Sequence, residues 1–305
     1  MGKIAFLFPG QGAQTPHMGQ DFYEQFDAAK KTYELSSKAT GLDIQNLCFT
    51  ENEELNITEF TQAALLTTEV AMLRVILEKG IKADYTAGLS LGEYGALAAA
   101  GVMSDEDLFS LIRKRGIFMQ NAYPVGGAMT AVLGLDADTI AKICKETEGI
   151  VSIANDNCPG QIVITGEEVA VARASEKLTE AGAKRCVPLK VSGPFHSALL
   201  KGAGEQLAAE LEKVNVNDIK VPYISNVTAE VVENKDDVKN LLSKQVFSPV
   251  RFRETVMLLK ELGVTTFVEI GPGKTLAGFV KKTDRELNVI NIQTVEDLAK
   301  LDELI

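Results

Sequence analysis

The segment Gly88-Leu89-Ser90-Leu91-Gly92 places a serine between a predicted strand and a predicted helix. Residues 84–87 are typical of a short buried strand, and residues 91–100 are rich in alanine and leucine. A serine on such a sharp turn projects its hydroxyl out of the sheet, and the flanking glycines permit close backbone approach. The first amides of the helix would stabilise an oxyanion there. The pattern predicts that Ser90 is a nucleophile, which requires a base.

Histidine is scarce in this chain, which narrows the search for that base to His17 and His196. His196 follows Ser90 in the chain, which is the order of nucleophile and histidine in α/β-hydrolase-like enzymes. It occurs in a predicted bend, residues 191–197, before a helical stretch. His17 occurs in a loop rich in Gly, Gln and Pro. We therefore predict His196 as the base, with His17 as the alternative.

Alternating strand and helix patterns predict an α/β fold, and an apolar content of 46% over 305 residues is ample for its core. This part resembles an α/β-hydrolase-like core, with a parallel sheet and the serine on a nucleophile elbow. Predicted strands cover residues 3–8, 84–87, 221–225, 265–270 and 288–292. Predicted helices cover residues 18–40, 59–79, 91–100, 104–121, 197–213, 235–244 and 251–262, with a short helix at the end.

Between Ser90 and His196 the pattern changes to strand, helix, strand, strand, helix, strand. This βαββαβ order predicts an inserted ferredoxin-like subdomain. We expect residues 125–190 to form it, and residues 1–124 and 191–305 to form a discontinuous catalytic domain. The predicted strands are 128–133, 150–154, 161–165 and 184–189, the helices are 137–147 and 168–180, and a turn is predicted at 157–160.

Composition excludes several other classes of protein. A net charge of −11 disfavours nucleic-acid binding, and the apolar segments are too short and interrupted to predict a membrane span. The N-terminus lacks a signal-peptide pattern, so we expect a cytoplasmic protein with four reduced cysteines. We expect no metal, because the two histidines and the scattered cysteines lack metal-ligand spacing. We expect no nucleotide cofactor, because Gly10-x-Gly12 and Gly273-Lys274-Thr275 lack the remaining glycines of the phosphate-binding motifs.

Six motifs occur in order along nearly the whole chain, and together they resemble the malonyl-CoA:acyl carrier protein transacylases and the acyltransferase domains of polyketide synthases. They are Phe8-Pro9-Gly10-Gln11-Gly12-Ala13-Gln14, Gly88-Leu89-Ser90-Leu91-Gly92-Glu93, Arg115-Gly116-Ile117-Phe118-Met119-Gln120, Gly193-Pro194-Phe195-His196-Ser197, residues 245–251 and Gly271-Pro272-Gly273.

The resemblance implies ping-pong transfer in fatty-acid biosynthesis, with malonyl-CoA and acyl carrier protein as partners. Ser90 would attack the malonyl thioester while His196 takes its proton, and the carrier's phosphopantetheine thiol would then attack the malonyl-serine. The backbone amides of Gln11 and Leu91 would form the oxyanion hole. A backbone carbonyl at Gln245 would orient His196.

Further residues gain substrate-binding roles only through the resemblance. Periodicity alone favours a solvated helix face for Arg115, whereas the resemblance implies that its guanidinium binds the malonyl carboxylate. Phe195 resembles the malonyl-selective variants. Asn155 and Asn157 match positions near the cleft, although turn-forming asparagines remain the alternative. Leu89 stands where the family usually has histidine.

Two matters stay open at this level. An acidic carrier would need a local basic patch, for which Lys184, Arg185, Lys190, Lys281 and Lys282 are candidates. The alternative functions are a serine esterase or thioesterase, a trans-acting acyltransferase of a polyketide pathway, and a non-catalytic binding protein. The intact pair Ser90 and His196 disfavours the last of these.

Overall fold

The structure is a computed structural model that describes residues 2–191 and 193–304. Three residues lie outside the described residues. They are Met1 and Ile305, the two ends of the predicted catalytic domain, and Ser192 in the predicted bend. The strands are β1 (Lys3–Phe8), β2 (Tyr85–Gly88), β3 (Gly127–Leu133), β4 (Val151–Cys158), β5 (Gln161–Glu167), β6 (Arg185–Pro188), β7 (Tyr223–Ile224), β8 (Val231–Val232), β9 (Val264–Ile270) and β10 (Asn288–Ile292).

The α-helices are α1 (Gln20–Gln25), α2 (Asp27–Thr40), α3 (Ile44–Phe49), α4 (Thr58–Glu78), α5 (Gly92–Ala100), α6 (Asp105–Ala122), α7 (Ala137–Lys145), α8 (Glu168–Glu180), α9 (Lys201–Leu211), α10 (Val238–Gln245), α11 (Phe252–Glu261) and α12 (Thr275–Thr283). Short 3-10 segments are Glu54–Asn56, Ala198–Leu200, Lys235–Asp237 and Val295–Leu304. The predicted helix over 104–121 begins where the Ser104 side chain accepts from the Asp107 amide.

Six strands form one sheet in the order β10-β9-β1-β2-β7-β8, parallel except for the pair β7 and β8. Side chains of β1 alternate between two hydrophobic clusters. Phe6 and Phe8 belong to one, and Ala5 and Leu7 belong to the other. Because successive side chains of a strand point to opposite faces, both faces of the sheet are buried. This burial is what the continuous apolar run of β1 predicts.

The helix α4 lies against α2 and α6 in the larger hydrophobic cluster. Its length and composition would suffice to cross a membrane, but 83% of the relevant window is buried inside the protein. A helix that is apolar all round is the expected form of a core element. We therefore interpret α4 as a central helix of the helical layer.

The other four strands form a separate antiparallel sheet in the order β4-β5-β3-β6. Helices α7 and α8 pack on it through their own hydrophobic cluster. The sheet joins the rest of the protein at β4, where the Val250 amide donates to Ala154 and the Asp156 amide donates to Val250. Arg253 adds an ion pair to Asp156 at 2.9 Å. The chain is thus a mixed α/β protein with two distinct sheets.

Two of the differences between predicted and observed segments have a clear physical cause. The helix predicted over 18–40 is two helices, because Phe26 adopts an extended backbone and packs its ring against Phe22. The strand predicted to end at Ala154 continues to Cys158, so the turn is shorter than predicted. Asn155 and Asn157 therefore lie in β4 rather than in a turn, and Asn155 pairs with Val163 of β5.

Candidate active site

Ser90 occupies the turn between β2 and α5 with a φ of 56°, in the left-handed region that residues with a side chain seldom adopt. The chain passes very close to itself there. A Cβ on Gly88 would lie 2.0 Å from the carbonyl carbon of Gly92, and a Cβ on Gly92 would lie 2.0 Å from the Phe8 carbonyl oxygen. Neither position has room for a side chain, which explains the glycine on each side of Ser90.

The structure brings together the two residues predicted as nucleophile and base. Ser90 Oγ lies 2.7 Å from His196 Nε2. The other ring nitrogen, His196 Nδ1, lies 2.9 Å from the carbonyl oxygen of Gln245 and 3.2 Å from that of Ser248. Because a carbonyl oxygen can only accept, Nδ1 carries the proton, and the lone pair of Nε2 faces the serine hydroxyl.

The surroundings of His196 favour its neutral form. Burial, and after it the nearby positive charge of Arg115, lower the pKa of His196 to about 4. The two carbonyl acceptors act in the opposite direction but do not restore the ordinary value. The imidazole is therefore unprotonated near neutral pH. The alternative histidine, His17, is exposed and contacts Gln20 instead of this group.

Arg115 is completely buried, so the solvated position favoured by periodicity alone is wrong. Its Nη2 donates to Ser90 Oγ at 3.2 Å and to Gln245 Oε1 at 2.9 Å, and its Nη1 donates to Gln62 Oε1 at 2.7 Å. The guanidinium also lies over the Tyr94 ring, 5.6 Å from the centroid. A buried cation thus faces the serine hydroxyl and is held there by neutral groups.

Two polar residues that sequence reasoning missed, Glu93 and Asn226, hold the turn. Asn226 Oδ1 accepts from the Ser90 amide, and Asn226 Nδ2 donates to the Gly88 carbonyl, both at 2.7 Å. The Asn226 amide in turn donates to Glu93 Oε2 at 3.2 Å. Glu93 is the single charged residue of an otherwise apolar helix, and that isolation was a usable signal. Asn226 has no comparable sequence signal.

A pocket of about 180 Å³ opens over Ser90. Residues from several distant segments line it, among them Gln11, Leu89, Asn155, Asn157, Phe195 and His196. Phe195 and Asn155 are nearly buried, with 5% and 7% of their surface exposed. Leu89 also lines the wall and makes that part of it apolar.

The two amides predicted for the oxyanion hole belong to Gln11 and Leu91. Gln11 lies in the loop after β1, and Leu91 immediately precedes α5. No acceptor among the described residues takes a hydrogen bond from either amide. The Gln11 side chain is engaged separately, donating to Thr58 Oγ1 at 3.1 Å. Both N–H groups therefore remain able to serve a ligand.

No three His, Cys, Asp or Glu side chains within residues 2–191 and 193–304 are grouped to hold a metal ion. The Gly271-Pro272-Gly273 segment instead leads into α12, whose first amides, those of Leu276 and Ala277, donate to Glu269. A carboxylate from within the chain thus occupies the helix terminus at which a phosphate would otherwise bind.

The predicted basic residues divide between two places. Leu133 pairs with both Arg185 and Gln161, and Lys282 donates to the Gln161 side chain at 3.0 Å. Lys184, Arg185 and Lys282 therefore lie towards one end of the antiparallel sheet. Lys281 directly precedes Lys282 in α12 and donates to the Arg285 carbonyl, whereas Lys190 follows the far end of β6. All five are exposed.

Comparison with known proteins gives a consistent result. A family model described as the acyl transferase domain matches residues 5–302. A malonyl CoA-acyl carrier protein transacylase from Bacillus subtilis (strain 168) is 50% identical over 303 residues, which is 98% of this chain and 96% of that protein.

Solved structures agree with the mixed α/β architecture. The crystal structure of MCAT from Streptococcus pneumoniae superposes with a TM-score of 0.95 at 47% identity, covering 99% of this chain and 100% of that one. A malonyl-transacylase solved in complex with its type II PKS acyl-carrier protein gives 0.96 at 40% identity, covering 99% and 100%.

Proposed function

The chain belongs to the acyl transferase family, and we propose that it transfers malonyl from malonyl-CoA to the phosphopantetheine thiol of an acyl carrier protein, in fatty-acid biosynthesis. One observation carries this proposal: Ser90 Oγ contacts both His196 Nε2 and the Arg115 guanidinium, at 2.7 and 3.2 Å. A nucleophile, a base and a buried cation meet at one oxygen atom. A substrate with a reactive carbonyl next to a carboxylate fits that arrangement.

The first half-reaction forms a malonyl-serine. Ser90 Oγ attacks the thioester carbonyl as His196 Nε2 takes the hydroxyl proton, which forms the C–O bond. The amides of Gln11 and Leu91 bind the oxygen that becomes negative; such a donor contributes on the order of 3 kcal/mol in the transition state. The C–S bond then breaks, and the proton on His196 passes to the sulfur of coenzyme A.

The second half-reaction reverses these steps with a different thiol. The phosphopantetheine thiol gives its proton to His196 Nε2 and attacks the malonyl-serine carbonyl. The ester C–O bond breaks, and the proton returns from His196 to Ser90 Oγ. Hydrogen bonds from Nδ1 to two backbone carbonyls hold the ring in one orientation throughout. This ping-pong sequence needs no cofactor.

Arg115 is proposed to bind the malonyl carboxylate through two parallel hydrogen bonds, a geometry that lysine cannot reproduce. Phe195 is proposed to crowd out a methyl branch at the α-carbon, since its ring lines the pocket. Such a mismatch is worth only about 1–3 kcal/mol, so discrimination would be moderate. Asn155 is proposed to contact the substrate from β4, and Gln245 to act through its carbonyl and side chain.

We also propose a finer description of the fold. Residues 1–124 and 191–305 form an α/β-hydrolase-like catalytic domain, and residues 125–190 form a ferredoxin-like subdomain. The strand order β4-β5-β3-β6 with two helices on the sheet supports the second part. The parallel order around β1 and β2, with Ser90 directly after β2, supports the first. A cytoplasmic location is proposed with them.

The acidic carrier protein is proposed to dock near the exposed cations Lys184 and Arg185. Replacing both with glutamate is expected to raise the KM for carrier protein about five- to tenfold at low salt, because steering is lost. The rate of Ser90 malonylation by malonyl-CoA should not change. The matched control is Lys79→Glu with Lys82→Glu, which alters the charge equally at the end of α4. Equal effects from the two pairs, or none from Lys184 and Arg185, would reject this surface.

A serine esterase or thioesterase is the alternative from another class of enzyme. The buried Arg115 disfavours it, because a cation beside the nucleophile, with no carboxylate in direct contact, would not bind a neutral acyl chain. Service to a polyketide pathway instead of fatty-acid synthesis would use the same chemistry. That alternative concerns the identity of the carrier and not the site.

Intact-protein mass spectrometry tests the proposal directly. The protein is mixed briefly with malonyl-CoA or acetyl-CoA, beside a Ser90→Ala control. We expect a mass gain of one malonyl group that requires Ser90, exceeds the acetyl gain and disappears when holo carrier protein is added. Release of coenzyme A without an adduct would indicate a hydrolase. If neither an adduct nor released coenzyme A is found, the proposed function is rejected.

A further inference from the structure

We propose that Glu93 is a positioning residue for carboxylate recognition: it orients the Gln245 amide, which in turn holds the Arg115 guanidinium beside Ser90. This inference rests on the proposed malonyl transfer and assigns part of its specificity to a residue outside the pocket. The connection runs through two side-chain hydrogen bonds, from Gln245 Nε2 to Glu93 Oε2 at 2.7 Å and from Arg115 Nη2 to Gln245 Oε1 at 2.9 Å.

Glu93 is fully buried in the first turn of α5, and its bonded partners are neutral. Its Oε2 accepts from the Gln245 side chain and from the Asn226 amide, whereas Oε1 has no partner among the described residues. Burying a carboxyl group with so few partners is unfavourable. The helix N-terminus compensates for part of that cost, but it does not explain why the side chain is directed at Gln245.

The contacts of Gln245 allow only one orientation of its amide. The Nε2 end faces three acceptors, Glu93 Oε2 at 2.7 Å, the Ser90 carbonyl at 2.8 Å and Asn226 Oδ1 at 3.4 Å. The Oε1 end faces a donor that cannot accept, Arg115 Nη2. A reversed amide would set oxygen against oxygen at one end and N–H against N–H at the other. Glu93 accepts the shortest of the hydrogen bonds that set which end of the amide meets Arg115.

We call the chain of hydrogen bonds from Glu93 through Gln245 to Arg115 the relay. The relay holds the Arg115 guanidinium in place without bringing a carboxylate into contact with it. Its hydrogen-bond acceptors on the chain are the neutral amides of Gln62 and Gln245, together with the Ser90 hydroxyl. A carboxylate in direct contact would compete with the carboxylate of a substrate. Because Glu93 acts through the Gln245 amide, it fixes the geometry of the guanidinium without itself accepting a hydrogen bond from it.

The test compares two acyl donors, because a loss confined to the carboxylate-bearing donor distinguishes this role from general support of the turn. Glu93→Met removes the acceptor and keeps the volume. We expect its KM for malonyl-CoA to rise about tenfold or more, while acylation by acetyl-CoA changes less than about threefold. Glu93→Gln retains an acceptor oxygen for Gln245 and should stay within about threefold of the wild type for both donors.

The matched control is Glu69→Met, which removes another buried carboxyl group that packs against α5 at Gly95. It should not alter the preference for malonyl. Equal losses for both donors in Glu93→Met, or none, would overturn the proposal. If that variant does not fold, Gln245→Met breaks the relay at its other end and should show the same malonyl-specific loss. Wild-type malonyl-serine formation, measured alongside, separates failure of this inference from failure of the proposed function.

Discussion

Replacing Arg115 with methionine is expected to reduce kcat/KM for malonyl-CoA by about 10²- to 10⁴-fold, because two charge-assisted hydrogen bonds to the substrate carboxylate are lost. Acylation of Ser90 by acetyl-CoA should fall far less, so the variant would prefer the donor without a carboxylate. Steady-state release of coenzyme A and the mass of the acyl-enzyme measure both donors. Arg115→Lys should recover only part of the loss, since an ammonium group cannot form the planar fork.

Arg113→Met provides a matched control on the same helix. Arg113 pairs with Glu59 and lies over the Phe60 ring, so its removal costs a comparable amount of packing and charge away from Ser90. We expect it to retain the wild-type preference for malonyl. An Arg115→Met protein that is folded, as judged by thermal unfolding, and still prefers malonyl would refute carboxylate recognition by this residue.

Elements whose structure follows from the local sequence pattern could be predicted. β1 is a continuous apolar run because both of its faces are buried, and α6 begins at a capping serine. Phe26 was not predictable as a helix break, because neither glycine nor proline marks it and its extended backbone accompanies a tertiary contact with Phe22. The extension of β4 to Cys158 likewise depends on pairing with β5.

In the candidate site, too, residues marked by local sequence signals could be predicted and tertiary contacts could not. Ser90 and His196 could be predicted because a turn motif and the scarcity of histidine point to them. The burial of Arg115 could not be derived from periodicity, since its acceptors Gln62 and Gln245 come from other helices. Asn226 acts through backbone atoms of a segment more than a hundred residues earlier. Such contacts exist only once the chain has folded.

Replacing His196 with alanine is expected to lower the rate of Ser90 malonylation by about 10³-fold, the usual contribution of a general base. Substrate binding should change little, since Arg115 remains in place, so the loss should appear in kcat. Rapid-mixing mass spectrometry of the malonyl-serine measures this rate directly. His17→Ala is the matched control, because that exposed ring contacts Gln20 and should not affect the rate.

The pH dependence gives a sharper test of the same assignment. A base acts in its neutral form, which predominates above its pKa, and the pKa of His196 is lowered to about 4 by burial and by Arg115. Malonylation should therefore persist well below pH 6.5, where an ordinary histidine becomes protonated. Glu93, whose pKa burial raises to about 7, can add an inflection near neutral pH, and Glu93→Gln would remove it.

Arg115→Met should shift the acid limb, followed with acetyl-CoA, to higher pH, because the cation that disfavours imidazolium is gone. A wild-type acid limb at the ordinary histidine value, unchanged in Arg115→Met, would contradict both the lowered pKa of His196 and its electrostatic cause. A limb that moves in Arg115→Met but not in Arg113→Met would attribute the shift to the charge beside Ser90 rather than to loss of any arginine from α6.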